Sequence, residues 1–155
     1  MMQKLNVRVY GFLMDKEKGL LVSDELIQGK YYTKLPGGGL ELGEGTLDCL
    51  QREFLEETGV EVNVGEHIYT TDYFQPSAFH SDQQFMGIYY YVHAKDVSLF
   101  NTHSTIFDFS PEQIQNPSGE AEVLRWIPFE QMSADLFQLP TDKIAMKKVL
   151  ENYKL

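Results

Sequence analysis

The sequence is poor in several things, and each scarcity excludes something. It has a single cysteine, Cys49, so no disulfide can close within the chain and the fold must hold by packing. No stretch approaches the roughly 20 consecutive apolar residues of a membrane-spanning helix. The opening "MMQKLNVRVYGFL" has neither the apolar run nor the small-residue cleavage site of a secretory signal. Basic residues are few, 13 against 23 acidic ones, giving a net charge of −10, and only Lys147 and Lys148 are adjacent. Without a basic stripe, such a chain repels nucleic-acid polymers. Repeats and low-complexity runs are absent, and His67, His80, His93 and His103 fall at no metal-ligand spacing. What is left is a cytoplasmic globular chain that reads as one domain over residues 1–155, with 43% hydrophobic and 13% aromatic residues to form a core. Monomer and homodimer are both open.

The hydrophobic pattern predicts a mixed α/β domain with helices packed on a sheet. Strands are expected at residues 5–13 (Leu5, Val7 and Val9 on one face, Arg8 on the other), 19–25, 30–36, within "VEVNV", at 67–74, 83–94 and within "EVLRWIPF". The strands at 67–74 and 83–94 are candidates for a hairpin around "QPSAFHSD". A helix is expected over 46–58, with Leu47, Leu50 and Phe54 as its buried stripe, Thr46 as N-cap and Gly59 after its end. "PFEQMSADLF" and "TDKIAMKKVLENY" read as closing helices, with Thr141 capping the second, and residues 95–120 as a long loop.

One stretch carries chemistry. "GGGLELGEGTLDCLQREFLEETGV", residues 37–60, holds the acids Glu41, Glu44, Asp48, Glu53, Glu56 and Glu57 around one base, Arg52. Glu53, Glu56 and Glu57 fall at i, i+3 and i+4 and share a helical face. Local helix physics disfavours them. The Glu53–Glu57 pair costs about 0.2–0.5 kcal/mol, and an exposed acid in the last turn about 0.3–1 kcal/mol more. Arg52 offsets one charge by pairing with Glu56 at i, i+4. Taken alone, the cluster reads as a solvated acidic face. The glycine run Gly37–Gly39, leaving a strand beside it, favours a second reading, a hard-cation site. Glycine lets backbone approach a metal or phosphate closely.

These residues resemble the Nudix box, G-x5-E-x7-R-E-U-x-E-E-x-G-U, where U is a bulky apolar residue. Gly38, Glu44, Arg52, Glu53, Phe54, Glu56, Glu57, Gly59 and Val60 occupy its specified positions over residues 38–60. Phe54 departs mildly, being aromatic where aliphatic residues are usual. Trp126, in "VLRWIPFEQM", resembles the family's late strand leading into a helix. The resemblance implies a Nudix-type α/β/α sandwich with a mixed sheet. It also implies hydrolysis of a nucleoside diphosphate linked to another group X, a small-molecule substrate, with Mg²⁺ or Mn²⁺. By position, Glu53, Glu56 and Glu57 would be metal ligands, joined by a backbone carbonyl of Gly37 or Gly38. Arg52 would orient the glutamates, and Glu44 would be an outer carboxylate or fix the loop. A box glutamate or a later acid would act as base, with Glu120 and Glu122 the candidates outside the box.

Substrate signals are weaker. Lys34, beside the glycine turn, is a candidate phosphate contact, and Glu44 is with it a candidate substrate-binding residue. Pro76 lies sixteen residues after Val60, close to the position of a proline in relatives that favour ADP-ribose, but off register. Tyr31, Tyr32, Tyr73 and Phe74 suit base stacking, although aromatic residues in strands are more often core. Cys49 reads as packing. Two alternatives to an enzyme stand beside this reading: a non-catalytic Nudix-like nucleotide sensor and an acidic interaction domain.

Overall fold

The computed structural model describes residues 1–152. Its strands are β1 (Lys4–Asp15), β2 (Gly19–Ile27), β3 (Lys30–Lys34), β4 (Gly37–Gly39), β5 (Asn63–Thr70), β6 (Gln83–His93), β7 (Thr102–His103) and β8 (Glu120–Ile127). Its helices are α1 (Thr46–Thr58), α2 (Pro111–Ile114) and α3 (Pro140–Asn152). The sheet is mixed. β1 runs parallel to β6 and antiparallel to β4, whereas β2 lies antiparallel between β3 and β8.

β1 and β2 touch only beside their turn, at Met14–Leu20 and Asp15–Gly19. Beyond it they part, and the β3–β4 segment enters the gap, β3 pairing with β2 and β4 with β1. Two half-sheets result, one of β5, β6, β1 and β4, the other of β3, β2, β8 and β7.

Strand alternation builds a core on each face. Val9, Leu13 and Leu21 pack with Cys49, Leu50 and Phe54 of α1. Tyr10, Phe12, Leu20 and Val22 pack with Phe137 and with Ala145, Met146 and Val149 of α3. This is the α/β/α sandwich.

Several expectations are corrected. Leu47 is 46% exposed, because β4 and β1 cover only the Leu50 and Phe54 side of α1. The N-cap is Gly45, whose amide donates to Asp48 at 3.0 Å. Thr46 is the first helical residue and bonds Tyr90 Oη at 2.7 Å. Gly59 does close the helix, in the left-handed conformation at φ 74°. Leu5 is exposed at the start of β1. The glycine triplet is strand β4, not a free turn. The strands expected in "VEVNV" and at 67–74 overlap a single strand, β5, which leaves out residues 60–62 and 71–74 and whose bulges against β6 break the alternation of side chains. Residues 95–120 contain β7 and α2. "PFEQMSADLF" forms two 3₁₀ turns, Phe129–Gln131 and Ala134–Leu136. Thr141 lies within α3, which opens at Pro140, and Tyr153 lies outside the described residues. Tyr31, Tyr73 and Phe74 are exposed, not core.

One buried ion pair braces the second half-sheet. Arg125 on β8 donates to Asp24 on β2 through Nε at 2.7 Å and Nη2 at 3.0 Å. Asp24, fully buried, also accepts from Thr33 Oγ1 at 2.9 Å and the Phe107 amide at 3.2 Å.

Candidate active site

The site begins where α1 crosses β4. Gly38 faces Glu53, and a Cβ at residue 38 would fall on the Glu53 carboxylate. The glycine is therefore a matter of space: backbone and carboxylate meet there because no side chain separates them. Cys49 is fully buried beneath the same crossing, its thiol 3.5 Å from the Gly39 carbonyl. Burial, then the hydrogen bond to Glu44, pushes the Cys49 thiol up to about 12, which rules out a thiolate at neutral pH.

Arg52 gathers the acids of the loop and helix. It donates to Glu44 through Nε at 2.9 Å and Nη2 at 2.7 Å, and to the Gly39 carbonyl at 3.1 Å. Nη1 reaches Glu53 at 3.0 Å and Glu56 at 3.2 Å, and Glu41 lies 3.8 Å away. The Arg52 hydrogen bonds, then that from the Glu41 amide, hold Glu44 down at about 2. Glu44 thus ties the loop before α1 to the arginine that holds Glu53.

Glu57 lines a second pocket together with Glu122 of β8. Glu25 on β2 and Glu122 on β8 are directly paired across the ladder, a juxtaposition of like charges that sheets avoid. Glu57 and Glu122 belong to exposed residues, yet protein atoms crowd their carboxyl heads. That desolvation, then the charges of Glu122, Glu25 and Glu53, raises Glu57 to about 9. Desolvation, then Glu25, raises Glu122 to about 7. Glu120 lines the same cleft at the start of β8.

The cleft holds about 600 Å³ and runs from Glu25 and Glu122 past Lys34 and Arg8 to Phe79 and Phe85. Lys34 is buried rather than solvated: it pairs with Glu25 at 3.5 Å and lies over the rings of Tyr10 and Phe79. Burial alone would lower its pKa, but Tyr10 and Glu25 outweigh it and hold the ammonium above its usual range. Sequence reading missed Glu25 and Arg8. The visible signals were charged residues inside apolar strands, "SDE" in "GLLVSDELI" and the arginine of "NVRVYGFL".

Among the described residues, no three His, Cys, Asp or Glu side chains converge as a metal-holding group. Arg52 draws Glu53 and Glu56 to itself, whereas Glu57 lines a second pocket with Glu122. The donor set nevertheless suits a hard cation. It offers carboxylates in excess over positive charge, and backbone brought against Glu53 by the absence of a side chain at Gly38.

A mixed sheet covered by helices on both faces is also the fold that the comparisons find. The model of the NUDIX domain family matches residues 2–153. The chain belongs to the Nudix family. Similar folds include a NUDIX hydrolase from Nitrosomonas europaea, 17% identical, with TM-score 0.66 over 95% of this chain and 89% of that one. The MutT protein from Methanosarcina mazei Go1 is 17% identical, with TM-score 0.63 over 99% of both chains. An ADP-ribose pyrophosphatase from Streptococcus suis 89-1591 is 14% identical, with TM-score 0.52 over 95% of this chain and 90% of that one. No curated protein sequence matches the chain. No helix among the described residues is long and apolar enough to cross a membrane.

Proposed function

We propose that this protein is a cytoplasmic Nudix pyrophosphohydrolase, acting as one domain over residues 1–155, that splits the pyrophosphate bond of a nucleoside diphosphate linked to a group X. The observation that carries this reading is Glu122, which lines a cleft with Glu25, Lys34 and Arg8 and also lines the adjoining pocket with Glu57, 65 residues away in sequence. Acids alone would repel a phosphate substrate; acids beside cations suit one whose charge is shared with a divalent ion.

Glu53, Glu56 and Glu57, with the Gly38 carbonyl, would hold Mg²⁺ or Mn²⁺. The ion supplies charge neutralisation of the pyrophosphate and lowers the pKa of a water. Arg52 fixes Glu53 against Gly38 and is itself fixed by Glu44. Glu122 accepts the proton of the attacking water. Its pKa of about 7 leaves it ionised enough to take a proton near neutral pH and basic enough to want one. The water oxygen bonds to phosphorus, and the bridging oxygen leaves with its electron pair, giving two phosphate products. The fold shared with an ADP-ribose pyrophosphatase supports an ADP-ribose-like substrate among the candidates.

A panel of nucleoside diphosphate compounds with Mg²⁺ and Mn²⁺, products identified by mass, tests the proposal. Cleavage between the phosphates that stops with chelator and collapses in Glu56→Gln and Glu57→Gln, with folding intact by circular dichroism, is the expected result. Full activity in both variants overturns it, and tight binding without turnover replaces it with a nucleotide sensor.

A further inference from the structure

The tip of the β2–β3 hairpin carries a residue that its turn does not favour. Ile27 pairs with Lys30, so Gln28 and Gly29 form a two-residue turn, and both are left-handed, at φ 51° and 78°. Glycine has no Cβ to clash in that conformation, and the short side chains of asparagine and aspartate compensate by local hydrogen bonds. Gly29 fits this preference and Gln28 does not. A residue held in a costly backbone conformation directs attention to what its side chain does.

The Gln28 side chain crosses the cleft. Its Nε2 donates to the Phe79 carbonyl at 3.1 Å, 51 residues away, and both residues line the cleft. Gln28 belongs to the half-sheet of β2, β3 and β8, and Phe79 to the loop that joins β5 to β6 in the other. The two half-sheets pair beside the β1–β2 turn, at Met14–Leu20 and Asp15–Gly19, and Gln28 joins them again beyond the opposite end of β2. Among the described residues no other hydrogen bond runs from residues 71–82 to β2, β3 or their turn. Ring contact accompanies the tie, Phe79 meeting Tyr32 edge-on at 5.3 Å. The loop is also held on its own side: Ser77 Oγ accepts from the Phe79 and His80 amides at 3.1 and 3.2 Å, and the Phe85 amide donates to the Gln75 carbonyl at 2.8 Å. The tie therefore fixes the spacing of two built walls. Gln28 follows Glu25 by three residues, which at the rise of a strand puts the tie about 10 Å along the cleft from that acid.

We propose that Gln28 is a specificity-determining residue whose side chain bars the cleft and selects substrates with a compact group on that side of the scissile bond. A group that ends before the bar leaves the tie intact. One that carries a further ring system past it must break the hydrogen bond and part the walls, and it binds more weakly for that reason. The favoured substrate is then a nucleoside diphosphate linked to a small X. A pyrophosphate flanked by two nucleosides has no compact end to place there.

This inference rests on the pyrophosphohydrolase reading, and its test separates the two. Gln28→Gly and Gln28→Asn both suit the turn, but the first has no donor and the second is a methylene too short to reach Phe79. The kcat/KM of a dinucleoside diphosphate and of a nucleoside diphosphate sugar with the same nucleoside are measured for wild type and both variants. The ratio of the first to the second is expected to rise about 3- to 10-fold in both variants, with the melting temperature unchanged or raised. A ratio within twofold of wild type overturns the proposal. So does an equal loss on both substrates with a lower melting temperature, which would make Gln28 a brace of the fold alone. Where wild type turns over neither compound, calorimetry with both in Mg²⁺ reads the same ratio from Kd. A rise there supports the bar and sinks the catalytic reading, whereas no rise, or no binding, sinks both.

Discussion

Two arginines show what matched and mismatched charge do in this protein. Arg125 meets one carboxylate, the fully buried Asp24, through two short hydrogen bonds. Arg52 meets four, Glu41, Glu44, Glu53 and Glu56, on an open rim. The first pair is closed: charges cancel, lone pairs are filled by Thr33 and Phe107, and nothing further can bind. The second is short of positive charge by design of its sequence, and Glu57, Glu122 and Glu25 extend the deficit across the cleft. A balanced pair joins strands; an unbalanced one leaves room for a ligand to complete it.

The comparison breaks first at its buried half. Asp24→Ala should destabilise the fold by about 3–5 kcal/mol, since Arg125 is left charged and unpaired, whereas replacing both with Leu and Met should cost much less. Urea denaturation of the single and double variants decides it, and equal losses would mean that Asp24 is not a matched partner. Next, Glu122→Gln should lower kcat about 100-fold or more without lowering stability. A steady-state assay with a melting curve tests this, and a mere rise in KM would remove Glu122 from the proton's path. Arg52→Lys keeps the charge but loses the fork that spans Glu44 and Glu53, so activity should drop about 10- to 100-fold and metal should bind more weakly. Undiminished metal affinity by calorimetry would show that the arginine only decorates the rim.

The smallest effect concerns pH. Glu57 and Glu122 bind protons more tightly folded than unfolded, at about 9 and about 7 against an ordinary value near 4.5. In that window the native state carries more protons, so stability falls as pH rises. The contribution is fully present below the unfolded value and lost as pH climbs through about 7 and then about 9. In chelator, the melting temperature of wild type should decline more between pH 5 and pH 9 than that of Glu57→Gln/Glu122→Gln. Parallel curves would contradict the crowding of these acids.

Local features of this architecture were legible in the sequence. The helix over 46–58, its buried Leu50 and Phe54, and the glycine that ends it depend on spacing within a few turns. Leu47 and Thr46 were misread because spacing gives a face but not how far the neighbouring sheet extends over it. Long-range register was less accessible still. That Glu25 stands opposite Glu122, or that Lys34 is closed in by Tyr10 and Phe79, depends on which strand lies beside which. The box brought Glu53, Glu56, Glu57, Arg52 and Glu44 into view together because they are close in sequence; Glu25 and Arg8 come to line one cleft only after folding.

The contact of Gly38 with Glu53 has a consequence for substitution. One small volume is shared by two positions fifteen residues apart, so a side chain added at the first acts on the second. Any side chain at residue 38 would displace the carboxylate of residue 53 and act as a change at that distant site. Gly43, where an added Cβ meets nothing within 4 Å, has no such partner. A substitution at 38 therefore reads out at 53, through the place its carboxylate must give up.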